Sequence, residues 1–305
     1  MSTLVTVVIP TYGRPDYLPR AVESALNQTY TNIEVIVVDD NGDGGAHRAE
    51  TEAVISCFMH DNRVKYIKHE KNKNGSAARN TGLKAASGTF IGFLDDDDEL
   101  LPTKIEKQLR MLLMRPEYGA VYCLNTLFYK GAQIRSTSYT TEGDCTFDIL
   151  SLRSDIHTSS LLLRKERVEE IGGFDESFYR HQEYEFMIRF FERNWMCCVP
   201  EILLHAHIDS NMNRPGVDRQ IEVKRHYFEK MARFIGKYSE VDRATIVKVH
   251  NLVLFRTCLK NMDARAIKYL LMSNPSMDDV IAHLLPFAKK YWNMLRVSVR
   301  SSWRS

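Results

Sequence analysis

Between residues 4 and 94 short apolar runs alternate with amphipathic stretches, and this alternation constrains the fold more than any other feature. Residues 4–9, 34–38, 64–67 and 90–94 are runs of four to six residues, rich in β-branched and aromatic side chains. They read as buried strands. Residues 16–28, 46–59 and 75–88 read as helices between them, the first with Leu18, Ala21, Val22, Ala25 and Leu26 on one face. Strand, helix, strand, helix at this spacing predicts βαβ units and an α/β fold with a mainly parallel sheet flanked by helices. The chain of 305 residues is long enough for one such domain plus an appendage.

The strands end in carboxylates. Residues 34–38 run into Asp39, Asp40 and a glycine-rich turn; residues 90–94 run into Asp95, Asp96, Asp97 and Asp98. An acidic run by itself fits a solvated loop or the first turn of a helix. Here it falls beyond the carboxyl end of a buried strand, where open α/β sheets bind ligands. Four carboxylates held together repel unless a cation or a donor array neutralises them, and a hard divalent ion is the natural counter-charge. Gly75 and Ser76 open a helix that also carries Arg79, which suits either plain capping or a phosphate cradle.

Six cysteines are scattered without a C-x-x-C pair, and they read as reduced core thiols rather than a zinc site. No signal peptide and no run of 18 apolar residues is present, so the expected location is the cytoplasm. Residues 217–238 and 244–262 read as helices. After Asp279 no acidic residue appears, while Tyr291, Trp292, Leu295, Val299 and Trp303 share one helical face with Lys289, Arg296 and Arg300 largely on another. That tail suits an interfacial helix on the anionic cytoplasmic face of a membrane, or a terminal helix packed on its own domain.

Six segments carry a resemblance: residues 7–13 (VVIPTYG), 37–41 (VVDDN), 77–82 (AARNTG), 93–98 (FLDDDD), 172–176 (GGFDE) and 181–184 (HQEY). In this order they resemble family 2 glycosyltransferases of the GT-A fold, most of all the bacterial members that build O-antigen or capsule repeat units. The resemblance covers roughly residues 4–210 and implies a GT-A domain over 1–210, with a nucleotide-binding half to about residue 100, an acceptor half after it, and a helical region over 211–305. It implies an inverting, metal-dependent transfer from a nucleotide-sugar donor, with UDP preferred. The implied acceptor is a glycan or an undecaprenyl-diphosphate-linked saccharide, and no nucleic acid is involved. Pro10, Thr11 and Tyr12 would line the base pocket, Asp40 would accept from the uracil N–H with Asp39 beside it, and Arg79 would serve base, ribose or phosphate. Asp95 and Asp97 would form the D-x-D pair next to Asp96, with Asp97 on Mn2+ or Mg2+. His207 is a further metal or phosphate ligand in this reading. Glu183 stands where the family has its aspartate base, with Gln182, Glu185 and Asp175 as alternatives. A nucleotide-sugar or metal-binding protein without transfer activity is the other reading; the presence of Asp40, the D-x-D and Glu183 favours the enzyme.

Overall fold

The computed structural model describes residues 3–129, 131–208 and 216–277, together with 279 and 281. Two compact units divide the chain, Met1–Arg214 and Pro215–Ser305.

In the first unit the apolar runs form β1 (Val5–Thr11), β2 (Ile33–Asp39), β3 (Val64–Lys68) and β4 (Phe90–Phe93). Between them lie α1 (Leu18–Leu26), α2 (Ala46–Ser56) and α3 (Gly75–Ala85). Then follow β5 (Glu99–Leu100), α4 (Lys104–Met114), the hairpin β6 (Ala120–Tyr129) and β7 (Ala132–Ser136), and α5 (Thr146–Leu150). A 3₁₀ turn over Thr158–Ser160 leads into β8 (Leu162–Arg164), α6 (Lys165–Glu170), α7 (Gln182–Phe190) and β9 (Met196–His207). The sheet runs β3-β2-β1-β4-β8-β6-β9-β5, with β7 on β6. Its first four strands are parallel, and β8 enters antiparallel to both β4 and β6.

Alternation along β1 sets the two faces. Val5, Val7 and Ile9 pack with Leu18, Val22, Ile105 and Leu109 of α1 and α4. Val8 points the other way, and a Cβ added at Gly82 of α3 would lie 2.2 Å from its Cγ1, so only glycine lets that helix sit so close. Polar contacts override apolar phase in two helices. In α4, Lys104 and Gln108 are buried because they donate to the Leu161 and Ser160 carbonyls at 3.3 and 2.7 Å, whereas Leu113 is exposed. In α2, buried Arg48 donates to the Gly42 carbonyl at 3.2 Å, so Ile55 turns inward while Met59 is exposed. Cys57 is exposed too, unlike the five buried cysteines, so it is not a core thiol.

In the second unit the described helices are α8 (Val217–Ile235), α9 (Glu240–Lys260) and α10 (Arg265–Ser273). Leu252, Phe255 and Cys258 pack with Ala266 and Tyr269. No described helix is long and apolar enough to cross a membrane. The basic stretch from Phe287 onward lies outside the described residues.

Candidate active site

The carboxyl ends of β1, β2 and β4 open onto one mouth. Asp40 follows β2, and its N–H donates to the Thr11 carbonyl at 2.9 Å. Its carboxylate accepts from His69 Nδ1 at 2.7 Å, Asn72 Nδ2 at 2.8 Å, the Lys73 N–H at 2.8 Å and the Asn74 N–H at 2.9 Å. Two oxygens offer about four acceptor directions, and the 69–74 loop fills them. The expected role for Asp40 on a nucleobase N–H therefore meets a side chain already committed to pinning that loop. Asp39 is fully buried and accepts from the Asn41 N–H at 2.9 Å, from Asn41 Nδ2 at 2.7 Å and from the Tyr66 hydroxyl. Pro10 and Thr11 end β1, Thr11 is buried, and Tyr12 is 51% exposed at the rim.

Asn74 caps α3 with its side-chain oxygen on the N–H groups of Ser76 (2.9 Å) and Ala77 (3.2 Å). That helix start is capping chemistry. Arg79, one turn on, has a larger part. It donates to Asp95 Oδ1 at 2.5 Å and to Gln182 Oε1 at 2.7 Å, with its guanidinium 5.5 Å from the Phe174 ring. Next to it Asn80 accepts from the Phe174 N–H at 2.8 Å and donates to the Phe174 carbonyl at 2.9 Å. A Cβ at Gly173 would lie 2.5 Å from Asn80 Oδ1, and its φ of +71° is one that glycine adopts freely. Phe174 then stacks on Phe186 of α7, centroids 4.3 Å apart. Through these contacts three separated motifs hold the N-terminus of α7, and with it half-buried Glu183, at the mouth.

The alternatives to Glu183 are differently engaged. Glu185 is buried and forms a two-point pair with Arg189, which also holds the Ile171 and Gly173 carbonyls. Gln182 serves Arg79 and the Phe178 carbonyl. Asp175 accepts from the Ser177 N–H at 2.8 Å.

The four aspartates split. The Asp98 N–H donates to the Asp95 carbonyl at 3.0 Å, a turn that brings the first and fourth side chains together. Ser159 fastens the turn: its hydroxyl donates to Asp98 Oδ2 at 2.6 Å and accepts the Asp95 N–H at 3.1 Å. His157 Nδ1 lies 3.4 Å from Asp98 Oδ2, and ligand atoms of Asp95, Asp98 and His157 all fall within 4.8 Å of one another. Two carboxylates and an imidazole at that spacing fit a divalent ion that takes oxygen and nitrogen, such as Mn2+. Asp96 and Asp97 face Arg14 instead, which pairs with both carboxylates, while Arg20 donates to the Asp97 carbonyl. Asp97 and His207, expected as ligands, thus lie outside the converging set. The His207 ring stacks on Phe128 at 5.3 Å, and the His207 backbone N–H donates to Asp98 Oδ1 at 3.1 Å. His205 also packs on Phe128, as i, i+2 residues of a strand must share a face.

Charge in this turn is unequally met. Burial, with Asp97 and Asp95 adding to it against the pull of Arg14, pushes Asp96 up to about 7. Burial and the nearby Asp98 push Asp97 to about 7, and burial with Asp95 pushes Asp98 to about 6 despite His157, Ser159 and the His207 N–H. Asp95 is held low: burial works against its charge, but Arg79, His157 and Arg14 prevail. Burial works against the His157 charge as well, and Asp98, Asp95 and Glu183 raise it above its usual value.

Arg14, His157 and Ser159 escape the motif reading. Thr158–Ser160 form a 3₁₀ turn capped by His157, and no motif in the sequence marks it.

The model of the family described as "Glycosyl transferase family 2" matches residues 6–172. An uncharacterized glycosyltransferase of Rickettsia prowazekii is 30% identical over 254 residues, covering 80% of this chain and 76% of its own length. One of Rickettsia bellii is 32% identical over 200 residues, but there the match spans only 27% of the relative's length. Glycosyltransferase GlyG of Streptococcus pneumoniae is 42% identical over 107 residues, 35% of this chain and 34% of that protein. Among solved structures, Staphylococcus aureus TarS 1-349 in complex with UDP-GlcNAc aligns with a TM-score of 0.61 at 16% identity, over 92% of this chain and 79% of that one. The mannosyltransferase PcManGT of Pyrobaculum calidifontis, in complex with GDP-Man and Mn2+, aligns with a TM-score of 0.58 at 16% identity, over 97% and 83%. The fold is GT-A, and the chain belongs to glycosyltransferase family 2.

Proposed function

We propose that this protein is an inverting glycosyltransferase that moves a sugar from a nucleoside-diphosphate donor, with UDP preferred, to a hydroxyl of a glycan or lipid-linked glycan of a bacterial surface polysaccharide. One observation supports the reading above the others: the Arg79 bridge joins Asp95 to Gln182, so the carboxylate at 183 shares a mouth with the Asp95, Asp98 and His157 cluster.

In this reading Pro10, Thr11 and Tyr12 form the wall for the base, with Asp39 and Asp40 fixing the loops around it. If Asp40 is to accept from uracil, one of its four protein donors must give way. Asp95, Asp98 and His157 would hold Mn2+ or Mg2+, with Asp97 and His207 in the next layer. When bound, the ion stabilises the charge that develops on the leaving diphosphate. Arg14 and Arg79 add fixed positive charge to the same region. Glu183 accepts the proton of the acceptor hydroxyl as that oxygen bonds to the anomeric carbon; the bond from that carbon to the diphosphate oxygen breaks on the opposite face, and the single displacement inverts the centre. The tail from Phe287 onward is proposed as a peripheral anchor to anionic lipid, so its removal should release the protein from anionic vesicles.

The test is a panel of UDP-, GDP- and dTDP-sugars, scored for binding by calorimetry and for turnover with and without Mn2+. Metal-dependent binding of one nucleotide sugar is expected. Failure of every nucleotide sugar to bind would remove the proposal, and full turnover in EDTA would remove the metal from it.

A further inference from the structure

Beside Glu183 stands a pair of rings that the chemistry above does not use. His181 and Tyr184 stack nearly parallel, centroids 5.2 Å apart and planes 12° from one another. Both are half-buried, and Tyr179, two residues before the pair, is 61% exposed. Burial raises the Tyr184 hydroxyl, and the charges of Glu183 and Asp155 add to it, so the pair lies near the proposed base.

His181 is also held against its backbone preference. Its φ of +61° and ψ of +26° lie in the left-handed region, which costs a residue with a side chain of order 1–3 kcal/mol. It precedes α7 at the capping position, yet its side chain makes no capping bond to that helix. Capping does not account for a histidine there, and asparagine or glycine would meet the backbone demand more readily. The histidine brings a ring, laid on Tyr184 next to a carboxylate.

We propose that the His181–Tyr184 pair is a platform for the pyranose ring of the acceptor, set so that a ring hydroxyl reaches Glu183. Aromatic faces carry the negative part of a quadrupole, and the C–H face of a pyranose is its positive complement. A stacked pair is already ordered, so binding loses little side-chain freedom. The platform rests on the transferase reading; it names the acceptor as a saccharide contacted by its ring rather than by a lipid chain.

The probes are the methyl and octyl β-pyranosides of glucose, galactose and N-acetylglucosamine, titrated into the full chain and read by saturation-transfer NMR. At least one methyl pyranoside should receive saturation at its ring protons. His181→Asn tolerates the left-handed backbone but has no ring of that kind; it should weaken that binding about 3- to 10-fold, the size of one aromatic contact, while melting at or above the wild-type temperature. Tyr184→Leu should weaken it similarly, and Tyr184→Phe should retain it. No transfer to any methyl pyranoside, binding of octyl glycosides alone, or undiminished binding in both His181→Asn and Tyr184→Leu would overturn the platform. If His181→Asn melts early, the contrast of Tyr184→Phe with Tyr184→Leu decides. Nucleotide binding, measured separately on the wild type, tells this failure from failure of the transferase reading.

Discussion

The same parallel sheet buries carboxylates at both ends and treats them in opposite ways. At the amino end, Glu34 of β2 accepts from the Thr6 hydroxyl at 2.7 Å, the Ser87 N–H at 2.9 Å and Lys65. Burial works against its charge, yet Lys65, Ser87 and Thr6 hold its carboxyl below the usual range. At the carboxyl end, Asp96, Asp97 and Asp98 are raised to about 7, 7 and 6, because burial and the repulsion among neighbouring carboxylates outweigh the nearby cations. Burial alone does not separate structure from function here. A satisfied carboxylate staples strands; an under-neutralised cluster has an unmet demand for positive charge, which a ligand can supply.

That contrast can be broken by substitution. The largest effect belongs to Glu183→Gln, which keeps size and hydrogen bonding but removes the proposed proton acceptor. Turnover should fall on the order of 10²–10⁴-fold with nucleotide binding nearly unchanged. Wild-type turnover would move the base elsewhere, and Asp175 would be next, since Glu185 is committed to Arg189.

Next come the proposed metal ligands at the mouth. Asp98→Asn and His157→Ala should each weaken Mn2+ binding about 10- to 100-fold, read by the free Mn2+ signal in electron paramagnetic resonance. Nitrogen coupling to bound Mn2+ should vanish in His157→Ala and persist in His207→Ala. The reverse pattern would restore His207 as the ligand.

Glu34→Gln is the counterpart at the other end. Losing a charge-assisted network should destabilise the fold by about 1–3 kcal/mol in urea unfolding and leave Mn2+ affinity alone. A stable Glu34→Gln protein, or one with altered metal binding, would erase the distinction between the two ends.

The smallest effect concerns a buried charge away from both. Burial lowers Lys104 to about 8 from 10.5. Between those values the unfolded chain binds the extra proton, so stability should rise as pH climbs from about 8 toward 10.5 and be lost as pH falls back through 8. Lys104→Met should flatten that rise and stabilise the protein at pH 7 by only about 1 kcal/mol, since it also orphans the Leu161 carbonyl. An unchanged pH profile would show that the folded ammonium keeps its proton through the range from about 8 to 10.5.

The sequence by itself determined the parallel half of the sheet. Runs at 4–9, 34–38, 64–67 and 90–94 became β1 to β4 because period and β-branching act locally, whatever the rest of the chain does. It also placed the acids at strand ends, and the six motifs in order sufficed to indicate the family. Tertiary structure alone decided which carboxylates meet. Asp95 joins Asp98 rather than Asp97 because a turn brings i and i+3 together, and Ser159 and His157, some sixty residues away, arrive only when β8 slots in beside β4. Arg14 claims Asp96 and Asp97 across a comparable gap. In the same way Lys104, Gln108 and Arg48 were turned inward by carbonyls that no local pattern reveals. Spacing fixes which face of an element a residue occupies, whereas charge pairing depends on which elements the fold sets side by side.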